Sequence, residues 1–145
     1  TPAGEPAAAY AATRALGVDP ETIARAVLNF SGLAHRMEHI AAIDGVQFIN
    51  DSKATNGAAA ARALACFNPI YWIAGGRPKS NGLGTLQPYF QRIAHAYLIG
   101  EAEQEFSAEL TGRVDHSICK TLDNALDAAA AASSSFPIPR ANWWR

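Results

Sequence analysis

Three features of the 145-residue sequence predict an α/β domain with a mostly parallel sheet, helices on both faces of it, and a short helical segment in front. Strand-like and helix-like segments alternate from residue 46 to about residue 130, the pattern of a parallel sheet joined by helical crossovers. Two of the strand candidates are apolar without alternation, as strands covered on both faces are. The composition, 49% hydrophobic and 17% charged, is that of a chain that buries a core. Together these describe a Rossmann-like arrangement, in which ligands lie outside the carboxyl ends of the strands.

The elements follow in order. Residues 6–16 are alanine-rich and run to Gly17, where a helix can stop. Asp19, Pro20 and Glu21 then supply a cap, a first-turn proline and an acid for a second helix ending near Phe30. Its Ile23, Ala24, Val27 and Leu28 recur at helical spacing and predict a buried face. Residues 37–43, the pair Asp44-Gly45 and residues 46–49 read as a hairpin, and its second strand delivers Asn50 and Asp51. After Ser52-Lys53-Ala54-Thr55-Asn56 an alanine-rich helix runs to about Phe67. Its first turn leaves backbone N–H groups unpaired, a place to hold an anion. Further strands are predicted over 70–74, 94–99 and 114–119. Helical spacing fills the gaps through Leu86, Tyr89, Phe90 and Ile93, then Ala102, Phe106 and Leu110, then Leu122, Ala125, Leu126 and Ala129. The segment 136–145, with two prolines, follows no helical or strand period.

Several function classes recede at once. Twelve basic against thirteen acidic residues leave a net charge of −1, without the excess that binds a phosphate backbone generally. No apolar run approaches the ~20 residues of a membrane span. The first residues show no signal peptide, so the expectation is a cytoplasmic protein. Two cysteines make no disulfide framework; Cys66 and Cys119 are read as buried thiols. His35 and His39, four apart in an extended segment, stand about 13 Å apart and cannot share a metal.

The strand-end rule selects the loops 50–56, 75–81 and 100–101 and the segment after Cys119. In the first, Lys53 can neutralise a phosphate or carboxylate, Asp51 can orient a hydroxyl or a metal-bound water, and Thr55 can donate to an anionic substrate. The alternative is plain helix capping by Ser52 or Thr55 beside solvated charges. In the second, Gly75-Gly76 can bring a ligand to bare backbone while Lys79 supplies charge, although no Gly-x-x-x-x-Gly-Lys-Ser/Thr loop occurs. Arg36, beside His35 at the entry to the hairpin, carries a fixed charge suited to phosphates; the alternative is a surface arginine next to a hydrogen-bonded histidine.

The strings Gly32-Leu33-Ala34-His35-Arg36-Met37-Glu38, Asp44-Gly45-Val46 and Asn50-Asp51-Ser52-Lys53-Ala54-Thr55-Asn56, with Gly75-Gly76 and Lys79 downstream, resemble the Mur ligase family, and within it the members that add D-glutamate. The resemblance covers residues 7–130 or so. It implies that residues 1–31 are the helical end of a central ATPase domain, 32–132 a truncated C-terminal ligase domain, and 133–145 an atypical tail. It also implies an ATP-dependent ligation in cytoplasmic peptidoglycan precursor synthesis. The carboxylate of UDP-N-acetylmuramoyl-L-alanine becomes an acyl phosphate that the amine of D-glutamate attacks. Carried over by residue, Arg36 and Lys53 are the catalytic cations. His35, Arg36, Asp51 and Lys53 face ATP, and Thr55 and Lys79 hold the D-glutamate carboxylates. Magnesium ligands are expected in the central domain, outside this chain, and the chain alone is expected to be inactive. The alternative is a stand-alone nucleotide- or anion-binding module without catalysis.

Overall fold

The computed structural model describes residues 4–77 and 82–133. The chain divides into two compact units at residues 33 and 34.

The first unit holds helices α1 (Gly4–Ala15) and α2 (Pro20–Leu28). Asp19 caps α2 by accepting from Thr22 N at 2.9 Å, with Pro20 in the first turn. The Thr22 hydroxyl and backbone N–H hold the Asp19 carboxyl below the usual carboxylate range. The expected buried face of α2 is reduced to Ile23: Ala24, Val27 and Leu28 are exposed. Two helices of 12 and 9 residues offer too little surface to each other to cover a full apolar stripe.

The second unit begins with a hairpin. Strand β1 (Glu38–Ile43) pairs antiparallel with β2 (Val46–Asn50) in the register Ile43 to Val46. Asp44 at φ 51° and Gly45 at φ 85° both turn left-handed, as a two-residue hairpin with right-twisted strands requires. Helix α3 (Gly57–Cys66) follows, then β3 (Ile70–Gly75), a 3₁₀ helix (Gly84–Arg92), β4 (Ile93–Ile99), α4 (Glu103–Leu110), β5 (His116–Lys120) and α5 (Leu122–Ser133). Strands β3, β4 and β5 form a parallel sheet in that order. Among the described residues β2 pairs with β1 alone, so the four strands of the predicted alternation resolve into a parallel three and a separate hairpin. The tight turn satisfies one edge of β2 locally, before any crossover is needed.

The middle strand explains the layering. Ala96 and Leu98, fully buried, face a core made with Leu64 of α3, Leu86 and Phe90 of the 3₁₀ helix, and Leu110 of α4. Tyr97 faces the other way, onto Ala125 and Ala129 of α5. Helices therefore cover both faces, as the apolar strand pattern predicts. The helix expected through Leu86 and Phe90 is 3₁₀ and contains Pro88, whose missing N–H and fixed ring suit a tighter, shorter turn than a full α-ladder. Arg92 at its end donates to the carbonyls of Ala65 (3.0 Å) and Phe67 (3.3 Å), satisfying the last turn of α3. Cys66 departs from expectation: it is exposed, its thiol donating to Arg62 O. Cys119 is half-buried against the α5 face, and burial pushes its thiol up. No described helix is long and apolar enough to cross a membrane.

Candidate functional site

The loop between β2 and α3 is shaped by its own backbone. Ala54 N donates to Asp51 O at 2.8 Å and Thr55 N to Lys53 O at 2.9 Å. The cap of α3 is Asn56, whose Oδ1 accepts from Ala59 N at 2.9 Å. Capping therefore falls to neither Ser52 nor Thr55, and Thr55 stays exposed.

A second segment is tied onto this loop. His35 (φ 63°) and Met37 (φ 48°) both adopt the left-handed region, which L-residues enter at a cost of about 1–3 kcal/mol each unless surroundings hold them. Here they are held. Lys53 N donates to His35 O at 3.0 Å, and Met37 N donates to the Asp51 carboxylate at 3.0 Å. Arg36 stands between these two anchors. His35 N also donates to Glu38 Oε2 at 2.8 Å, and Asn50 Nδ2 reaches both His35 Nδ1 (2.9 Å) and Glu38 Oε2 (3.3 Å).

The structure thus brings His35, Arg36, Asp51 and Lys53 into one cluster, with Thr55 two residues further along the same loop. Lys79 lies outside the described residues. Arg36 and Lys53 are exposed and pair with no acid among the described residues. With the carboxylates of Asp51 and Glu38 each engaged by a backbone amide, the two exposed cations leave positive charge for an anion. Asp51 takes a more structural part than expected: one of its oxygens holds the Met37 backbone. Among the described residues no three His, Cys, Asp or Glu side chains gather to hold a metal. Glu38 and Asn50, given no role in the sequence reading, complete the network; their signal was the spacing of three between His35 and Glu38 around residues that turn left-handed.

The Gly75-Gly76 loop works differently. A Cβ on Gly75 would run into the carbonyl oxygen of Ile99. Gly76 N donates to that carbonyl at 3.3 Å, and Gly76 O accepts from Ala102 N at 3.0 Å. The absent side chain at Gly75 serves strand-to-strand approach rather than a ligand. Arg77 beyond it lies 3.8 Å from Glu101, both highly exposed. A shallow hollow of about 430 Å³, bordered by Phe90, Ile93, Gly112 and Asp115, lies at the amino ends of β4 and β5, the edge opposite to the one where doubly wound folds bind ligands.

Fold and cluster together define an α/β domain that offers cations at a strand-to-helix junction. A family model described as "Mur ligase, glutamate ligase domain" matches residues 35–135. The chain is 54% identical over 127 residues to a protein of Rhodopseudomonas palustris (strain HaA2) named UDP-N-acetylmuramoylalanine--D-glutamate ligase, covering 86% of this chain and 27% of that one. Proteins of the same name from Rhodospirillum rubrum and Paramagnetospirillum magneticum are 51% and 48% identical, covering 93% and 92% of this chain and 28% and 29% of theirs. The chain belongs to the Mur ligase family, through its glutamate ligase domain. It spans between a quarter and a third of the length of these relatives.

Proposed function

We propose that the chain is the C-terminal part of an ATP-dependent, amide-forming ligase that adds D-glutamate to UDP-N-acetylmuramoyl-L-alanine in cytoplasmic cell-wall precursor synthesis, with residues 1–31 belonging to the ATPase domain before it. The observation that carries this reading is the pinned His35–Met37 turn, which brings the Arg36 and Lys53 segments together with no acid among the described residues paired to either. That arrangement fits a polyphosphate: two free cations and a histidine on one open surface.

ATP supplies the phosphoryl group that turns a poorly electrophilic carboxylate into an acyl phosphate. Arg36 binds phosphate oxygens through its fork of donors. Lys53 stabilises negative charge as it grows on the transferring group and on the tetrahedral adduct. Asp51, on the nucleotide side, holds the turn in place. Thr55, together with Lys79, receives the carboxylates of D-glutamate. The amine of D-glutamate forms the C–N bond, gives up a proton, and phosphate leaves. Magnesium is held, on this reading, by residues of the ligase outside this chain.

The test is a domain exchange. Residues 35–135 placed in the Rhodopseudomonas palustris ligase in place of its own matching segment should support D-glutamate-dependent phosphate release from ATP. Lys53→Met in that chimera should lower kcat by about 100-fold, and the 145-residue chain alone should release none. Full activity of the Lys53→Met chimera would sink the assignment.

A further inference from the structure

The hydrogen-bond network under His35 carries information about a proton. Asn50 has two distinguishable ends, and each is identified by a neighbour of fixed polarity. Ser52 N, which can only donate, lies 3.1 Å from Asn50 Oδ1. The Glu38 carboxylate, an acceptor, lies 3.3 Å from Asn50 Nδ2. The amide group at Nδ2 is therefore the one that faces His35 Nδ1 at 2.9 Å, and Nδ1 must accept. Both Nδ2 hydrogens are used, one on the ring and one on the carboxylate. A neutral imidazole that accepts at Nδ1 carries its proton on Nε2. The His35 side chain is about half exposed, at 54%, and directly precedes Arg36 in a turn fixed from both sides.

We infer that Asn50 is a positioning residue that sets the His35 tautomer, so that His35 presents Nε2–H as a donor to an acceptor oxygen of the anionic ligand bound by Arg36. This inference rests on the phosphate reading of the site and gives His35 a specific part in it: a hydrogen-bond donor through Nε2. Glu38 supports the arrangement by engaging the second Nδ2 hydrogen and the His35 backbone N–H. Asn50 touches no ligand in this scheme and acts through His35.

The experiment is nitrogen-15 and proton NMR of the imidazoles in the 145-residue chain at about pH 8, where an ordinary imidazole is neutral, with inorganic tripolyphosphate as the added anion. The unsubstituted chain should show His35 in the Nε2–H form alone, and tripolyphosphate should shift that Nε2 proton together with the Arg36 side-chain resonances. Asn50→Asp presents an acceptor to Nδ1, so the ring proton should move to Nδ1 and tripolyphosphate affinity should fall by about tenfold. Glu38→Gln keeps an acceptor oxygen for Asn50 and His35 N, and should keep both the tautomer and the affinity.

An Nδ1–H form or a mixture in the unsubstituted chain overturns the inference and leaves the ligase reading standing, and this arm needs no variant to fold. An Asn50→Asp chain that retains the Nε2–H form overturns it equally. Tripolyphosphate that moves Arg36 but not His35 removes the donor role. If it moves neither, the phosphate reading fails and the donor role falls with it.

Discussion

Two loop regions at strand ends solve the same problem in opposite ways. At the end of β2 the backbone of residues 35–37 is tied to residues 50–53 by side chains and amides, leaving Arg36, Lys53 and Thr55 exposed. At the ends of β3 and β4 it is the backbones that meet: Gly75 lies against Ile99, and Gly76 bonds to Ile99 and Ala102. The first uses its polar residues to hold a turn and leaves its cations exposed. In the second, Gly75 and Gly76 let strand backbones approach closely. The glycine pair is thus explained by packing between strands, whereas the left-handed turn is explained by the carboxylate and amide side chains that brace it.

The largest effect that can sharpen this contrast is expected at Gly75. Gly75→Ala forces a Cβ onto the Ile99 carbonyl across the parallel pair and should cost about 3 kcal/mol or more. Urea denaturation reads it directly; a midpoint close to that of the unsubstituted chain would show the strands can part without penalty.

Asp51→Ala comes next. It removes the acceptor for Met37 N and should cost about 1–2 kcal/mol through the released turn. Fast amide exchange should appear at Met37 and Lys53, with the sheet unaffected. Exchange at Met37 as slow as in the unsubstituted chain would break the claim that Asp51 holds the turn.

Asn56→Ala should cost about 1 kcal/mol as a lost N-cap, whereas Ser52→Ala and Thr55→Ala should be near neutral in stability. Equal losses at all three would return the capping role to the residues that sequence alone suggests.

The smallest effect concerns pH. His95, bonded to Ser117 at 2.9 Å and set against the Tyr97 ring, has its imidazole held below the ordinary value by burial, with the charge of His116 adding to the shift and that of Asp115 opposing it. The unfolded chain therefore takes up this proton first as pH falls. Stability contributed here is complete above the ordinary histidine range, near pH 6.5, and declines as pH drops below it. Urea midpoints between about pH 8 and pH 5 should decline less in His95→Gln than in the unsubstituted chain. Identical slopes would remove His95 as a source.

Much of this was legible from residue order. The Asp19-Pro20 cap, the Asp44-Gly45 turn and the apolar strand around Ala96 and Leu98 each rest on a local rule that the fold obeys. The cluster of His35, Arg36, Asp51 and Lys53 was legible through the motif strings and the strand-end rule. The 3₁₀ geometry was misread because apolar spacing at 86, 89, 90 and 93 fits α and 3₁₀ turns almost equally; only Pro88 separates them. Cys66 was misread because an alanine-rich neighbourhood does not say which side of a helix meets the core. The bracing by Asn50 and Glu38 is a matter of side-chain direction across a hairpin, which composition and period do not encode.

The hairpin also bears on when the site assembles. Its cross-links from Met37 to Asp51 and from His35 to Asn50 span 14 and 15 residues, and the Asp44-Gly45 turn brings their ends together. Loops of this size close within microseconds, whereas each parallel pairing of β3, β4 and β5 must first close a longer crossover. The turn that carries Arg36 is therefore placed to form early, as a local nucleus, before the parallel strands pair.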